Sequence, residues 1–345
     1  MLLVAVAALT VAAGIARYAH GVSQVLAFVL ATLSLAGLAW IVSFATEQTG
    51  RRFGPAITGV MQSTLGNLPE FFVVIFALNA GQLIVAETAI LGSILVNALL
   101  VLGMVIVAGS FRAGDGVMRF SPRLPNDTAT LLLLSTFIII LIALTHSGGD
   151  PASHHAKTIS IVGAVAILIV YGIWLRQYLR SDTGPGEEVE PPRLTTAAAA
   201  ALLVIAGVAS AFVSDWFVHA LTPTIHTLHI SRAFAGLVIV AIAGNAVENV
   251  AGIVLAYKGR SDLAISVVKN SVAQIAAFLY PLLVLVSLLT ATTLTFSLAA
   301  VYAGALFGTA IIVWQITGDG EATAFEGTAL VAAFVILATV AAFEP

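Results

Sequence analysis

The stretch Gly66-Asn67-Leu68-Pro69-Glu70 recurs later in the chain as Gly244-Asn245-Ala246-Val247-Glu248, and this pair of motifs determines the expected fold. Each copy lies inside a long apolar segment, and the two glutamates stand 178 positions apart, from 70 to 248. A carboxylate in the hydrocarbon core of a bilayer costs roughly 2.5–3.5 kcal/mol on insertion scales, so such residues usually serve a function. Two of them in matching contexts predict a site that holds a cation or a proton.

The composition is that of a membrane protein. The 345 residues are 60% hydrophobic and 9% charged, with a mean hydropathy of +1.07. Apolar runs long enough to cross a bilayer recur from end to end. There is no cysteine, which excludes disulfides, thiolate metal sites and catalytic thiols. The runs predict an all-α membrane protein with about eleven transmembrane helices, at roughly residues 2–16, 22–46, 55–80, 82–109, 127–145, 156–178, 196–219, 231–257, 261–289, 293–316 and 325–343.

The basic residues predict the orientation of these helices. If the N-terminus faces the cytoplasm, ten of the fourteen lysines and arginines fall on the cytoplasmic side, three fall outside, and Lys269 lies within a helix. Cytoplasmic loops are enriched in basic residues. We therefore expect a multi-pass protein of the cytoplasmic membrane, with a cytoplasmic N-terminus and an external C-terminus.

A polar linker divides the chain into two similar parts. Residues 181–195 are rich in acidic residues, proline and glycine, and are expected to form a cytoplasmic linker. Residues 1–20 then form one extra N-terminal transmembrane helix, residues 21–180 a first repeat of five helices, and residues 196–345 a second. An odd number of helices per repeat gives the two repeats opposite orientations, which is the inverted-repeat plan of many secondary transporters.

The spacing of polar residues supports the repeat. Gly66-Asn67 is followed 26 positions later by Gly92-Ser93, and Gly244-Asn245 is followed 26 positions later by Asn270-Ser271. Residues three or four apart share a face of a helix. The inverted symmetry is expected to bring these faces to one central cavity, lined by Glu70, Glu248, Asn67, Asn245, Ser93, Ser271, Asn97 and Gln274.

Oxygen atoms dominate this expected site. Carboxylate, amide and hydroxyl oxygens suit a hard cation such as Ca²⁺, which takes six to eight oxygen ligands. They do not suit a soft metal, which prefers sulfur or imidazole. Glu70 and Glu248 are also expected to carry protons, because desolvation favours their neutral form and a bound divalent cation favours the charged form. A site that binds either Ca²⁺ or protons, and not both at once, couples the two fluxes.

At these residues the sequence resembles the Ca²⁺/H⁺ antiporters, the cation/proton-exchanger branch of the cation/Ca²⁺ exchanger superfamily. The resemblance covers about residues 22–345. Its first half is carried by Ala45-Thr46-Glu47-Gln48, Phe53-Gly54-Pro55, Thr64-Leu65-Gly66-Asn67-x-x-Glu70 and Leu91-Gly92-Ser93-Ile94-Leu95-x-Asn97. Its second half is carried by Ala241-Ile242-Ala243-Gly244-Asn245-Ala246-x-Glu248 and Asn270-Ser271-x-x-Gln274-Ile275.

The resemblance implies a transporter, not an enzyme, that moves Ca²⁺ against a flow of protons and needs no cofactor. It implies ten core helices preceded by one dispensable helix. By the same resemblance Glu70 and Glu248 bind the ion, and the six amide and hydroxyl residues named above line the site. Glu47 and Asp215 also match acidic positions of the family.

The sequence departs from the family beside the second glutamate. Asn249 stands where the family commonly has histidine, and Lys269-Asn270 stands in place of a small residue and glycine. Lys269 either extends to the cytoplasmic interface, as long basic side chains do, or approaches the site and acts as a tethered cation. We therefore regard Lys269, Asn249, Glu47 and Asp215 as candidate modulators.

Other functions remain open at this point. A Na⁺/H⁺ or K⁺/H⁺ antiporter on the same scaffold is the main alternative, because Lys269 and Asn249 alter the second half of the site. A channel is disfavoured by the inverted repeat. An intramembrane enzyme is disfavoured because no nucleophile–base pair is found in the apolar segments. The expected partners are Ca²⁺, protons and the lipid bilayer, with no nucleic acid, and the sequence leaves the oligomeric state open.

Overall fold

The computed structural model of the protein describes residues 2–50, 65–181 and 193–344, apart from the side chains of residues 50, 123, 124, 181, 247 and 248. The start of the expected helix at 55–80 and most of the expected linker at 181–195 therefore lie outside the described residues. So does the side chain of Glu248.

The described residues are mostly helical. The part before residue 182 contains α1 (Leu2–Tyr18), α2 (Gln24–Gly50), α3 (Leu68–Asn79), α4 (Leu83–Leu95), the π-helix π1 (Val96–Val101), α5 (Leu102–Arg112), β1 (Val117–Arg119), α6 (Arg123–Ser147), a 3₁₀ turn (Pro151–His155) and α7 (Ala156–Ser181).

The part after residue 192 follows a similar order. It contains α8 (Thr196–Leu228), α9 (Arg232–Phe234), π2 (Ala235–Val240), α10 (Ala241–Gly244), α11 (Ala246–Tyr257), α12 (Ser261–Gln274), π3 (Ile275–Leu279), α13 (Tyr280–Val286), a 3₁₀ turn (Ser287–Leu289), α14 (Ala300–Thr317), β2 (Glu321–Thr323) and α15 (Ala324–Ala342).

Eight helical segments within the described ranges are long and apolar enough to cross a membrane. A ninth is formed if Arg232–Gly244 and Asn249–Tyr257, which are bent by 57° relative to each other, count as one span. Two shorter apolar helices, α1 and α3, correspond to the other expected segments. The apolar character of these helices matches a multi-pass membrane protein.

The two glutamate motifs have the same local structure. The helices α3 (Leu68–Asn79) and α11 (Ala246–Tyr257) have equal lengths, and both of their ends are offset along the chain by the same spacing as the two glutamates. Each helix begins after an asparagine that interrupts the preceding helix, with φ −83° and ψ 6° at Asn67 and φ −97° and ψ 11° at Asn245. Pro69 stands in the first turn of α3, where its missing N–H removes no helical hydrogen bond. The helix break therefore lies at the asparagine.

The turns that follow these helices are also alike. Gly81 and Gly259 both adopt a positive φ, 71° and 77°, which glycine tolerates without strain. The next helices, α4 and α12, start with the same offset as the glutamates, and each leads into a π-helix, π1 or π3. Each motif is thus followed by a helical hairpin, and in the first hairpin the glutamate lies level with a serine of the second helix.

A short antiparallel sheet joins the two parts at one end of the molecule, a feature that the all-α expectation did not include. Val117 pairs with Thr323, and Arg119 pairs with Glu321. Arg119 also contacts Asp115 at 2.6 Å, and this hydrogen bond holds the pKa of Asp115 below its usual value. The sheet connects the loop before α6 to the loop before α15.

Candidate ion-binding site

Glu70 lies in the first turn of α3 and is held by residues from both parts of the chain. Its side chain is buried, and its Oε1 accepts hydrogen bonds from Ser93 Oγ on α4 and from Asn245 Nδ2, 2.6 Å away, at the break before α11. Asn245 Nδ2 also lies 3.0 Å from Ser93 Oγ. The carboxylate therefore joins the two motifs directly.

Asn97 extends this network into the second part. Its Nδ2 lies 2.7 Å from Asn245 Oδ1 and 3.3 Å from Ser271 Oγ, and it donates to Ser93 O at 3.0 Å. Each of these four residues is buried. Sequence analysis expected all of them at the site, and together with Glu70 they form one connected cluster of oxygen and amide groups.

The π-helices place the polar residues of this cluster. Asn97 lies within π1, Gln274 is the last residue before π3, and π2 is followed by the single turn α10, which ends at the break at Asn245. A π-helical turn contains one more residue than an α-helical turn, and such turns occur often at functional sites. The local widening changes which side chains face the centre, so Asn97 reaches Asn245 across 148 sequence positions.

Gly244 allows the close approach of Glu70. A Cβ atom added at position 244 would lie 2.8 Å from Glu70 Cγ and 2.9 Å from Glu70 Oε1, closer than real Cβ contacts. Gly92 is also required by packing, because a Cβ there would collide with the backbone of Leu237. The glycine of the second motif therefore shapes the site itself, and Gly92 permits contact between α4 and π2.

Several buried oxygens around the cluster accept no hydrogen bond from the described residues. Buried acceptors are usually paired, since an unpaired one costs roughly 1–3 kcal/mol. Oxygen atoms of this kind are the ligands that a hard cation prefers. They are Glu70 Oε2, Asn97 Oδ1, Gln274 Oε1, Asn249 Oδ1 and Asn270 Oδ1.

The remaining expected residues are distributed as follows. Asn67 is buried one turn before Glu70, and Gln274 is buried at the end of α12. Glu47 is half-buried near the end of α2, and Asp215 is exposed on α8 and is not part of the hydrogen-bonded cluster. Glu248 belongs to the first turn of α11, and its side chain lies outside the described residues.

Lys269 is buried against another helix. Its side chain is 1% exposed, and its Nζ donates a hydrogen bond to Thr317 Oγ1 on α14 at 3.2 Å. Thr317 Oγ1 in turn donates to Val313 O at 2.7 Å. The buried ammonium is thus directed at α14, and no site residue with a described side chain accepts a hydrogen bond from it.

Glu87 was absent from the expected site residues. It is a half-buried acid on α4, six positions before Ser93, and a cavity of about 10 Å³ lies beside Glu70 and Ser93. The available signal was the position of an acidic residue inside an apolar run, which by itself indicates function. It was missed because Glu87 has no counterpart in the repeated motif.

Comparison with known proteins identifies the family. The family model described as sodium/calcium exchanger protein matches residues 23–176 and 198–343. The vacuolar calcium ion transporter of Schizosaccharomyces pombe is 33% identical over 320 residues, which cover 90% of this chain and 77% of that protein. The Ca²⁺/H⁺ antiporter ChaA of Bacillus subtilis is 29% identical over 326 residues, which cover 92% of each.

The fold is also similar to that of solved structures. The structure of native YfkE has a TM-score of 0.83 and 26% identity, and the match covers 100% of both chains. The H⁺/Ca²⁺ exchanger CAX has a TM-score of 0.77 over 99% of this chain and 88% of that one, and its 17% identity supports the fold alone. The resemblance to Ca²⁺/H⁺ antiporters is confirmed, and the chain belongs to the sodium/calcium exchanger protein family, whose members are membrane transporters and not enzymes.

Proposed function

We propose that this protein exchanges Ca²⁺ for H⁺ across a membrane by alternating access. The observation that carries the proposal is the buried carboxylate of Glu70, whose Oε1 is held by Ser93 and Asn245 while Oε2 accepts nothing from the described residues. A carboxylate in an apolar span binds either a cation or a proton, because each neutralises its charge. The names of the relatives in Schizosaccharomyces pombe and Bacillus subtilis support Ca²⁺ and H⁺ as the substrates.

In the proposed mechanism Glu70 and Glu248 bind Ca²⁺ or protons in turn. Asn67, Asn245, Ser93, Ser271, Asn97 and Gln274 supply the neutral oxygen ligands. When Ca²⁺ is bound, the carboxylates are charged and accept no proton. When they are protonated, their affinity for Ca²⁺ is lost. No cofactor takes part, since both ions are substrates.

Two inverted repeats would provide the alternating access. The equal lengths and matching offsets of α3 and α11, and the similar backbone angles at Asn67 and Asn245, support a structural repeat with the spacing of the two glutamates. We assign residues 1–20 to an extra helix, 21–180 and 196–345 to the two repeats, and 181–195 to the linker, with eleven spans in all. An odd number of spans per repeat places Glu70 and Glu248 on opposite halves of one site.

The proposed location is the cell membrane, with the N-terminus in the cytoplasm and the C-terminus outside. The basic residues Lys258 and Arg260, in the turn between α11 and α12, support this orientation. The turn Ala80–Gln82 then faces outside.

Ion flux in proteoliposomes tests the proposed function. The purified protein is reconstituted, a pH gradient is imposed, and Ca²⁺, Na⁺ and K⁺ are offered in turn. We expect Ca²⁺ uptake that follows the pH gradient and stops when a protonophore removes it. Ca²⁺ uptake that ignores the gradient would contradict proton coupling. Uptake of Na⁺ or K⁺ without Ca²⁺ would instead favour the monovalent antiporter, the alternative that the buried Lys269 and the neutral Asn249 support.

Replacing Lys269 tests its role as a modulator. Lys269→Met removes a buried positive charge near the second motif, and Thr317 keeps its bond to Val313. We expect the Ca²⁺ concentration for half-maximal transport to fall roughly three- to tenfold, because removing a buried positive charge strengthens the binding of a cation. Lys258→Met, which removes the same charge from an exposed turn, is the matched control. Equal Ca²⁺ dependence in the wild type and Lys269→Met would show that Lys269 has no part in selectivity.

A further inference from the structure

Glu87 is an acid on α4 that the proposed exchange does not use. It lies in the apolar run Leu83–Leu95 and is half-buried. No hydrogen bond or ion pair to its carboxylate is formed within residues 2–50, 65–181 and 193–344. An ionisable residue in such a position is costly and indicates function.

The position of Glu87 relative to Glu70 is given by the hairpin of α3 and α4. Ser93 is level with Glu70, since the two side chains are hydrogen-bonded. Glu87 precedes Ser93 by six residues, which places it about 9 Å closer to the turn at Ala80–Gln82 at the rise of an α-helix. Glu87 therefore lies between Glu70 and the end of the molecule that carries this turn.

The cavity beside Glu70 extends in the same direction. Val74 lies one turn beyond Glu70, and Ile90 lies one turn before Ser93, so both lining residues are displaced toward that end. Leu279, a third lining residue, directly precedes Tyr280, which lies within electrostatic reach of Glu87. The volume of about 10 Å³ is close to that of a single water site.

Other titratable groups do not neutralise Glu87. Tyr280 donates its hydroxyl to Thr295 O at 2.9 Å. None of the cations on the described elements lies within ion-pair distance of the Glu87 carboxylate. The elements packed against α4 carry the charged or titratable groups Glu70, Arg232, Asp262, Lys269 and Tyr302.

We propose that Glu87 is an outer proton-transfer residue of this exchanger, an inference that rests on the proposed function. Its carboxylate takes a proton from water at the end that carries the turn Ala80–Gln82. The resulting carboxylic acid releases that proton through the small cavity to the Glu70 carboxylate, and Glu87 returns to its charged form. The apolar residues around the cavity exclude other ions, so a fixed carboxylate along this route favours the entry of protons.

The experiment measures Ca²⁺ uptake into everted membrane vesicles while the pH inside is varied. In these vesicles the turn Ala80–Gln82 faces the interior in the proposed orientation. Glu87→Gln removes one carboxylate from the proposed proton route. Its internal pH dependence is therefore expected to shift toward acid, by roughly tenfold in proton concentration. The dependence on external Ca²⁺ is expected to change by less than about twofold, because Ca²⁺ reaches Glu70 from the opposite side of the membrane by another route. Glu87→Asp is expected to restore most of the wild-type pH profile.

A second measurement separates this role from a structural one. Glu87→Gln removes an unpaired carboxylate from an apolar span, so its midpoint of thermal unfolding is expected to equal or exceed that of the wild type. Glu344→Gln is the matched control: this acid accepts a hydrogen bond from Tyr302 and is not among the residues lining the cavity. It is expected to leave the internal pH dependence unchanged.

Three results would overturn the proposal. An unchanged internal pH profile in Glu87→Gln would remove Glu87 from the proton route and leave Ca²⁺/H⁺ exchange intact. A lowered unfolding midpoint in Glu87→Gln, together with equal changes in the dependence on internal pH and on external Ca²⁺, would assign Glu87 a structural role. Absence of proton-driven Ca²⁺ uptake in the wild type would remove the proposed function and this inference together.

Discussion

Glu70→Gln is expected to abolish proton-driven Ca²⁺ uptake in proteoliposomes, with a loss of roughly 100-fold or more. The amide has the shape of the carboxylate but carries no charge and takes up no proton. The loss of a full charge in an environment of low dielectric is worth several kcal/mol toward a divalent cation, even at a moderate effective dielectric constant. Both halves of the exchange cycle should therefore fail.

The fold should survive this substitution. The hydrogen bonds from Ser93 and Asn245 can be accepted by the amide oxygen of the substituted side chain as they are by Glu70 Oε1. An unchanged midpoint of thermal unfolding in detergent, with uptake absent, is the expected combination. Asp262→Asn, which removes an exposed acid that accepts a hydrogen bond from Ser121 N at 2.7 Å, is a control that should retain transport. Transport at the wild-type rate in Glu70→Gln would remove the proposed site.

The motif and its repeat were sufficient to predict much of this site. The pattern Gly-Asn-x-x-Glu, with a serine 23 positions after each glutamate, indicated the residues of the central cluster, and Glu70, Ser93 and Asn245 are in direct contact. This worked because the hairpin geometry after each glutamate is local and regular. A helix, a glycine turn and a second helix place the glutamate level with its serine.

Contacts between distant segments could not be predicted in the same way. The bond between Asn97 and Asn245 depends on the π-helical turn Val96–Val101, and nothing in the local sequence distinguishes this turn from an α-helix. The pairing of β1 with β2 joins segments from different halves of the chain that are too short to show a strand pattern. The contact of Lys269 could not be predicted either. Its position in a helix was evident, but its partner Thr317 belongs to another helix.

Gly244 belongs to the local motif, but the need for glycine at this position is explained by a contact between distant segments. A glycine in a membrane helix weakens the helix and permits close helix packing. The contact with Glu70 gives it a third role, because the carboxylate of Glu70 lies against the backbone of Gly244. The same closeness makes the site sensitive to a single methyl group.

Gly244→Ala is expected to reduce transport at least about tenfold and to lower stability by roughly 1–3 kcal/mol, the range for overpacking a filled interior. The added Cβ would lie 2.8 Å from Glu70 Cγ, so either the carboxylate or the helix break must move. Transport rate and the midpoint of thermal unfolding measure the two effects. Gly308→Ala on α14 is the matched control, because a Cβ at that position has no neighbour within 4 Å. Gly308→Ala should lower neither the transport rate nor the unfolding midpoint. It is expected to stabilise the helix slightly, because alanine is a better helix former than glycine.

A double substitution separates the collision with Glu70 from a general effect on the helix. Glu70→Ala removes the Cγ and carboxylate atoms against which the new methyl group would press. Mutations of residues in contact are not additive. In the Glu70→Ala background, Gly244→Ala should therefore lower the unfolding midpoint far less than in the wild type. If the two losses simply add, the loss of stability in Gly244→Ala arises within its own helix, and the contact between Gly244 and Glu70 is not what requires glycine there.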